Sequence, residues 1–80
     1  MENETRELLV YLVNSLVEHP EEVEITETEE GDTVTFRLKT AKSDMGKVIG
    51  RQGKIAKEIR SLVKAHGLRG GKHIQVDIVD

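Results

Sequence analysis

Ten residues past the middle of the chain, Gly46-Lys47-Val48-Ile49-Gly50-Arg51-Gln52-Gly53-Lys54-Ile55, have the types and spacing best suited to chemistry. Two glycines three apart enclose Arg51 and Gln52, with further bases at Lys47, Lys54 and Lys57. Phosphate capture is what such a stretch can do. Glycine accepts positive φ and puts no Cβ between the backbone and a ligand. Amides at the start of a following helix lack intrahelical partners, and the helix dipole favours an anion there. Arg51, Lys54 and Lys57 add positive charge where a sugar-phosphate chain would pass. Two other glycine-rich phosphate loops do not fit. No window supplies Gly-x-x-x-x-Gly-Lys followed by Ser or Thr, and none supplies Gly-x-Gly-x-x-Gly after a strand. By itself, Gly-x-x-Gly also serves as a helix end followed by a turn, so its flanks decide its meaning.

The formal net charge of −3 conceals an uneven distribution. Residues 1–32 hold eleven acids against Arg6, a net of −10, while residues 46–73 hold eight bases against Glu58, a net of +7. A folded domain of this kind presents one basic face, and basic faces attract phosphate. Two solvated ends would leave the same pattern. Lys57, Arg60 and Lys64 share the polar side of a helix and read as a solvated face that adds to the local charge. The acidic run from Glu21 to Asp32 reads as an outer hairpin that repels a polyanion from the back of the domain.

Catalysis, metals and cofactors find little support. No activated nucleophile or carboxylate pair stands out. His19, His66 and His73 lack metal-ligand spacing and read as structural or surface residues, and no calcium loop is present. The absence of cysteine removes disulfides and thiolate sites. Tyr11 and Phe36 are the only aromatics, and both sit in apolar patterns. The exposed stacking platforms of RRM and OB-fold proteins therefore have no counterpart here.

The elements that must position the loop can be read from periodicity. Leu8, Leu9, Leu12, Val13, Leu16 and Val17 form one apolar stripe on a helix from Thr5 to Val17, with Asn3 as its N-cap and Pro20 beyond its end. Val23 and Ile25, then Val34, Phe36 and Leu38, alternate with polar residues around Glu30-Gly31-Asp32, which predicts a β-hairpin. Residues 42–50 predict a two-turn helix capped by Ser43 or Asp44 and ended by Gly50. A longer helix follows from Lys54 to His66, with Ile55, Ala56, Ile59, Leu62 and Val63 on its apolar face. Gly67 ends it, residues 67–72 connect, and Ile74, Val76 and Ile78 alternate as a last strand. The predicted class is α+β, in the order α-β-β-α-α-β, with helices covering one face of a three-stranded sheet. Eighty residues allow one domain, 1–80, with a small core. The acidic start lacks the order of a secretory signal, and no apolar run approaches the ~20 residues of a membrane span. A soluble cytoplasmic protein is expected.

Val48-Ile49-Gly50-Arg51-Gln52-Gly53 followed by Lys54-Ile55-Ala56-Lys57-Glu58-Ile59 resembles the signature of the KH family of RNA- and single-stranded-DNA-binding domains. The element order resembles its type II arrangement, and the chain as a whole is similar to the small bacterial single-KH family called KhpA. The resemblance implies that Gly50, Arg51, Gln52 and Gly53 clamp a nucleic-acid backbone, flanked by Lys47, Lys54 and Lys57. It implies an apolar groove lined by Ile49, Ile55 and Ile59, with the last strand near Ile74 and Val76 as its other wall. Such a groove holds about four nucleotides. Many KH domains place a large aliphatic residue three positions after the second glycine. Here that position is Ala56, with Ile55 one earlier, and the sequence leaves open which of them faces the groove.

Two functions follow. The first is a non-enzymatic binder of single-stranded RNA, acting as an RNA chaperone or post-transcriptional regulator. The second is a dimerisation module, forming a homodimer or pairing with a larger KH-containing protein, with the longer helix or the apolar residues near Leu62 and Leu68 as candidate contacts that the sequence does not locate. Assembly of ribosomal or other structured RNA would use the same residues. Neither a small-molecule substrate nor a membrane enters any of these readings.

Overall fold

The computed structural model describes residues 2–79, with side chains from Glu4 onward. Its elements are α1 (Glu2–Asn14), β1 (Glu24–Glu30), β2 (Thr33–Lys39), α2 (Met45–Ile49), α3 (Lys54–Arg69) and β3 (His73–Val79). Short 3-10 turns occupy Pro20–Glu22, Lys42–Asp44 and Arg51–Gly53. The α+β class and the α-β-β-α-α-β order are those expected.

The sheet order is β1-β2-β3. β1 and β2 are antiparallel from Glu24↔Lys39 to Glu30↔Thr33, which leaves Gly31 and Asp32 as a two-residue turn. Gly31 takes φ 63, as the tight turns of right-twisted hairpins require. β2 and β3 run parallel, from Thr33↔His73 to Lys39↔Val79. Parallel neighbours need a crossover, and α2 with α3 supplies it. Val34, Phe36 and Leu38 on the central strand are fully buried beneath Leu9 and Val13 of α1, Val48 of α2, and Ile59 and Val63 of α3. Burying a side chain of this size stabilises by ~1.5–3 kcal/mol. The alternation of β2 is thus the main anchor of the helical layer.

Four local expectations are corrected. α1 runs from Glu2 to Asn14 rather than from Thr5 to Val17. Asn3 therefore lies within the helix backbone, and its side chain is outside the described residues. The last turn tightens where Leu16 N–H bonds to Val13 C=O at 2.9 Å. Asp44 precedes α2 but makes no side-chain cap. Its buried carboxylate instead accepts the Glu18 and His19 amides, each at 3.0 Å, and so ties the end of the α1 segment to the start of α2.

α3 passes through Gly67 and ends at Arg69. Gly67 is buried against β3, where a Cβ would run into Ile74 Cγ1, so close packing and not termination sets this glycine. The connector is correspondingly short. Gly71 N–H bonds to Leu68 C=O at 3.0 Å, Lys72 N–H to Gly67 C=O at 3.0 Å, and His73 N–H to Asp32 C=O at 2.8 Å. Finally, Tyr11 does not join the core; it is 69% exposed on α1. No described helix is long and apolar enough to cross a membrane.

Candidate nucleic-acid interface

The loop between α2 and α3 has a backbone that few residues could adopt. Gly50 sits at φ 77, ψ 178, Gln52 at φ 56, ψ 26, and Gly53 at φ 74, ψ 15. Gln52 is the only described non-glycine residue with positive φ. The two glycines are needed for different reasons. A Cβ on Gly50 would lie 2.6 Å from Ile55 Cγ1, so the close approach of α2 to α3 excludes any side chain there. A Cβ on Gly53 would meet nothing within 4 Å. Packing does not demand glycine at 53; its φ does, and the bare backbone faces open space.

The loop is braced from behind. Gly50 N–H bonds to Gly46 C=O at 2.9 Å, and Gly53 N–H to Gly50 C=O at 3.2 Å. Asp44, at the head of α2, is held ionised by the Glu18 amide first and the His19 amide after it, which keep its carboxyl below the usual aspartate range against the opposing effect of burial. Lys47 Nζ stands 3.6 Å from Asp44 and 3.9 Å from Glu18. Its charge serves this brace.

Arg51, Gln52, Lys54 and Lys57 line one open cleft together with Glu58 and Ser61. Glu58 and Ser61 were not singled out from the sequence. Their helical spacing from Lys54 places them on the same face and was the available signal. Of the eight bases in 46–73, Lys47 pairs with acids and Lys72 pairs with Glu29. Arg60 is half-buried and donates from Nε to the Val76 carbonyl at 3.0 Å, so it is a strut to β3 rather than part of a solvated face. Arg51, Lys54, Lys57, Lys64 and Arg69 have no ion pair among the described residues. Positive charge is therefore left uncompensated along the loop and α3.

The apolar positions distribute around α3. Ala56, Ile59, Val63 and Gly67 are buried and face the sheet. Ile55 is half-buried and lies two residues from Lys57, hence ~200° around the helix from it. Ala56 thus belongs to the core, and Ile55 to the flank beside Gly50. Ile49 is half-buried at the end of α2. On β3, Ile74 and Val76 are each 4% exposed. Ile74 meets Gly67, fourteen residues and so ~21 Å along the helix from Gly53. With Arg60 meeting Val76, the loop end of α3 points toward the C-terminal end of β3, where Ile78 is half-buried. The structure brings together Gly50 to Lys54 and Lys57, and sets Ile74 at the far end.

A KH-domain family model described as KhpA/KhpB matches residues 6–78. The chain belongs to the KhpA/KhpB KH-domain family. The RNA-binding protein KhpA of Listeria monocytogenes serovar 1/2a is 47% identical over 74 residues, covering 92% of this chain and 97% of that protein. The Bacillus subtilis RNA-binding protein KhpA is 42% identical over 74 residues, covering 92% and 91%. These relatives are named as binding proteins, not enzymes. Among solved structures, Aquifex aeolicus Era bound to GDP.AlF4− has a TM-score of 0.66 at 17% identity over 92% of this chain and 29% of Era. Era in complex with MgGDPNP and nucleotides 1506–1542 of 16S ribosomal RNA gives 0.67 at 17% identity over 92% of this chain and 28% of that one. This KH chain thus shares its fold with less than a third of Era.

Proposed function

We propose that this KH domain binds single-stranded RNA by seating the sugar-phosphate backbone on Gly50-Arg51-Gln52-Gly53. The observation that carries the reading is the bare, positive-φ backbone at Gly53 beside the uncompensated charges of Arg51, Lys54 and Lys57. Amides of the loop and the first turn of α3 supply donors for phosphate oxygens. Bases then lie between the Lys57 flank of α3 and β3, with Ile49 giving apolar surface next to the clamp. A groove of about four nucleotides without an aromatic platform gives sequence-tolerant, salt-sensitive binding, suited to an RNA chaperone or post-transcriptional regulator. The test is an anisotropy titration with Arg51→Asp/Gln52→Asp, which keeps both glycines. Affinity is expected to fall at least tenfold in a variant of unchanged thermal stability; undiminished affinity rejects the clamp.

Self-association is a second reading, favoured by Leu62. This side chain is 55% exposed, and with half-buried Ile55 seven residues earlier it makes an apolar flank on α3 opposite the bases. A second copy, or the KH domain of a larger partner, would cover it. Leu62→Glu is expected to shift the sedimentation coefficient to that of a monomer, whereas a wild-type monomer at micromolar concentration rejects this reading.

A further inference from the structure

Of the two aromatic side chains, Phe36 is fully buried and Tyr11 is left outside the core. The helix that carries Tyr11 is firmly seated, because Leu9 and Val13 on its other face are fully buried. Rows four residues apart, Arg6-Val10-Asn14 and Glu7-Tyr11-Ser15, make two ridges along α1. These six residues line a cleft of about 520 Å³. Its polar groups are not equally available. Arg6 donates to the Ile25 carbonyl at 3.0 Å and stands 3.5 Å from Glu27, so its charge is turned to β1 and met there. Ser15 Oγ donates to the Tyr11 carbonyl at 2.7 Å. Glu7 and Asn14 are exposed, and Glu7 has no ion pair among the described residues. None of the six residues belongs to the cleft beside the loop.

An exposed tyrosine one helical turn from such a carboxylate can receive a cation. Residues four apart on a helix have Cβ atoms ~5–6 Å apart, so a single cationic head reaches both. The face of a tyrosine ring attracts a cation within ~6 Å of its centroid. Arginine suits the pair better than lysine, because its planar guanidinium stacks on the ring while its N–H fork meets the carboxylate. The Asn14 side-chain carbonyl is a further acceptor. Charge in the surrounding chain points the same way. Residues 1–32 carry a net −10, a field that draws basic segments and turns nucleic acid away from the ring. A second copy is a poor occupant. Its uncompensated bases lie on the loop and α3 rather than on α1, so the contact would be head-to-tail and would not close a two-fold dimer.

We propose that this flank of α1 docks an arginine-bearing basic segment of a partner protein, with the guanidinium held between Tyr11 and Glu7. The test is an anisotropy titration of the full chain with a labelled peptide of alternating glycine and arginine, beside the lysine version of the same peptide. Salt is set at ~0.15 M, where a Debye length of ~8 Å screens distant acids. The arginine peptide should bind more tightly than the lysine one. Tyr11→Leu and Glu7→Gln should each weaken the arginine peptide about two- to fivefold, the range of an exposed cation–π contact or ion pair. Tyr11→Phe keeps the ring and should keep the affinity. Glu22→Gln removes an equal charge outside the cleft and should leave binding unchanged. Glu7, Tyr11 and Glu22 are exposed, so the variants should melt with the wild type. Full affinity in Tyr11→Leu overturns the proposal. An equal loss in Glu22→Gln does so too, since it shows diffuse attraction without a site. Weaker RNA binding by Tyr11→Leu would place a base on the ring, and a lower sedimentation coefficient of that variant alone would place a second copy there; either result overturns the proposal.

Discussion

Gly50 and Gly53 look equivalent in the sequence and are not equivalent in the molecule. Gly50 combines a backbone open essentially only to glycine with a close approach to Ile55. Gly53 is left-handed but unobstructed, a conformation costing a side-chain-bearing residue ~1–2 kcal/mol. Gly53→Ala is therefore expected to lose ~1–2 kcal/mol in urea unfolding, and Gly50→Ala clearly more. RNA affinity should fall in folded Gly53→Ala, because its new methyl occupies the space a phosphate would use. Asp44 gives a second prediction. Its native pKa is depressed, so its ionisation stabilises the fold above the ordinary value of about 3.9, and that stability is lost as pH falls through the lower native value. Asp44→Asn should lower the melting temperature at neutral pH, and the gap to the wild type should narrow in acid. A constant gap from pH 7 to pH 2 would show that the carboxylate's charge is not what the Glu18 and His19 amides require.

α3 is the element on which every other feature depends. Its core face meets the sheet, one flank carries Ile55 and Leu62, and the other carries Lys57, Arg60 and Lys64. Two contacts fix it to β3: Gly67 against Ile74 and Arg60 to the Val76 carbonyl. Gly67→Ala should destabilise despite the ~1 kcal/mol gain in helix propensity, since the methyl cannot fit against Ile74. Arg60→Ala should cost ~1 kcal/mol for the lost hydrogen bond, with chemical denaturation measuring both. These contacts mark the limit of what the sequence discloses. Strand alternation at Val34, Phe36 and Leu38, and helical periodicity from Ile55 to Val63, were legible because each pattern is local. Gly67 was legible only as a helix stop, because the residue that requires it, Ile74, is distant in the chain and adjacent only after β3 pairs with β2. Asp44 shows the same gap. Its capping partner could be expected from the next few residues, whereas its real partners, Glu18 and His19, lie 26 and 25 residues away.

At the scale of the molecule, segregated charge becomes a surface with a direction. β1, with most of the acids of the hairpin, is the sheet edge away from β3. Log-log plots of affinity against salt should be linear, with a slope of about −0.7 for each phosphate contact to a single strand. Removing Lys54 or Lys57 should each flatten the slope by about one such contact, whereas Glu30→Gln at the hairpin end of β1 should leave it unchanged. That edge has a further consequence. β1 is a seven-residue strand, exposed along almost its full length, with no described strand on its outer side and the Arg6 guanidinium on the Ile25 carbonyl. Such a strand invites edge-to-edge stacking of neighbouring copies, and charged side chains are the usual guard against it. Glu24 and Glu30 stand as that guard, beside Glu27 and Glu29 paired to Arg6 and Lys72, so concentrated solutions of this small protein should resist growing sheets across molecules.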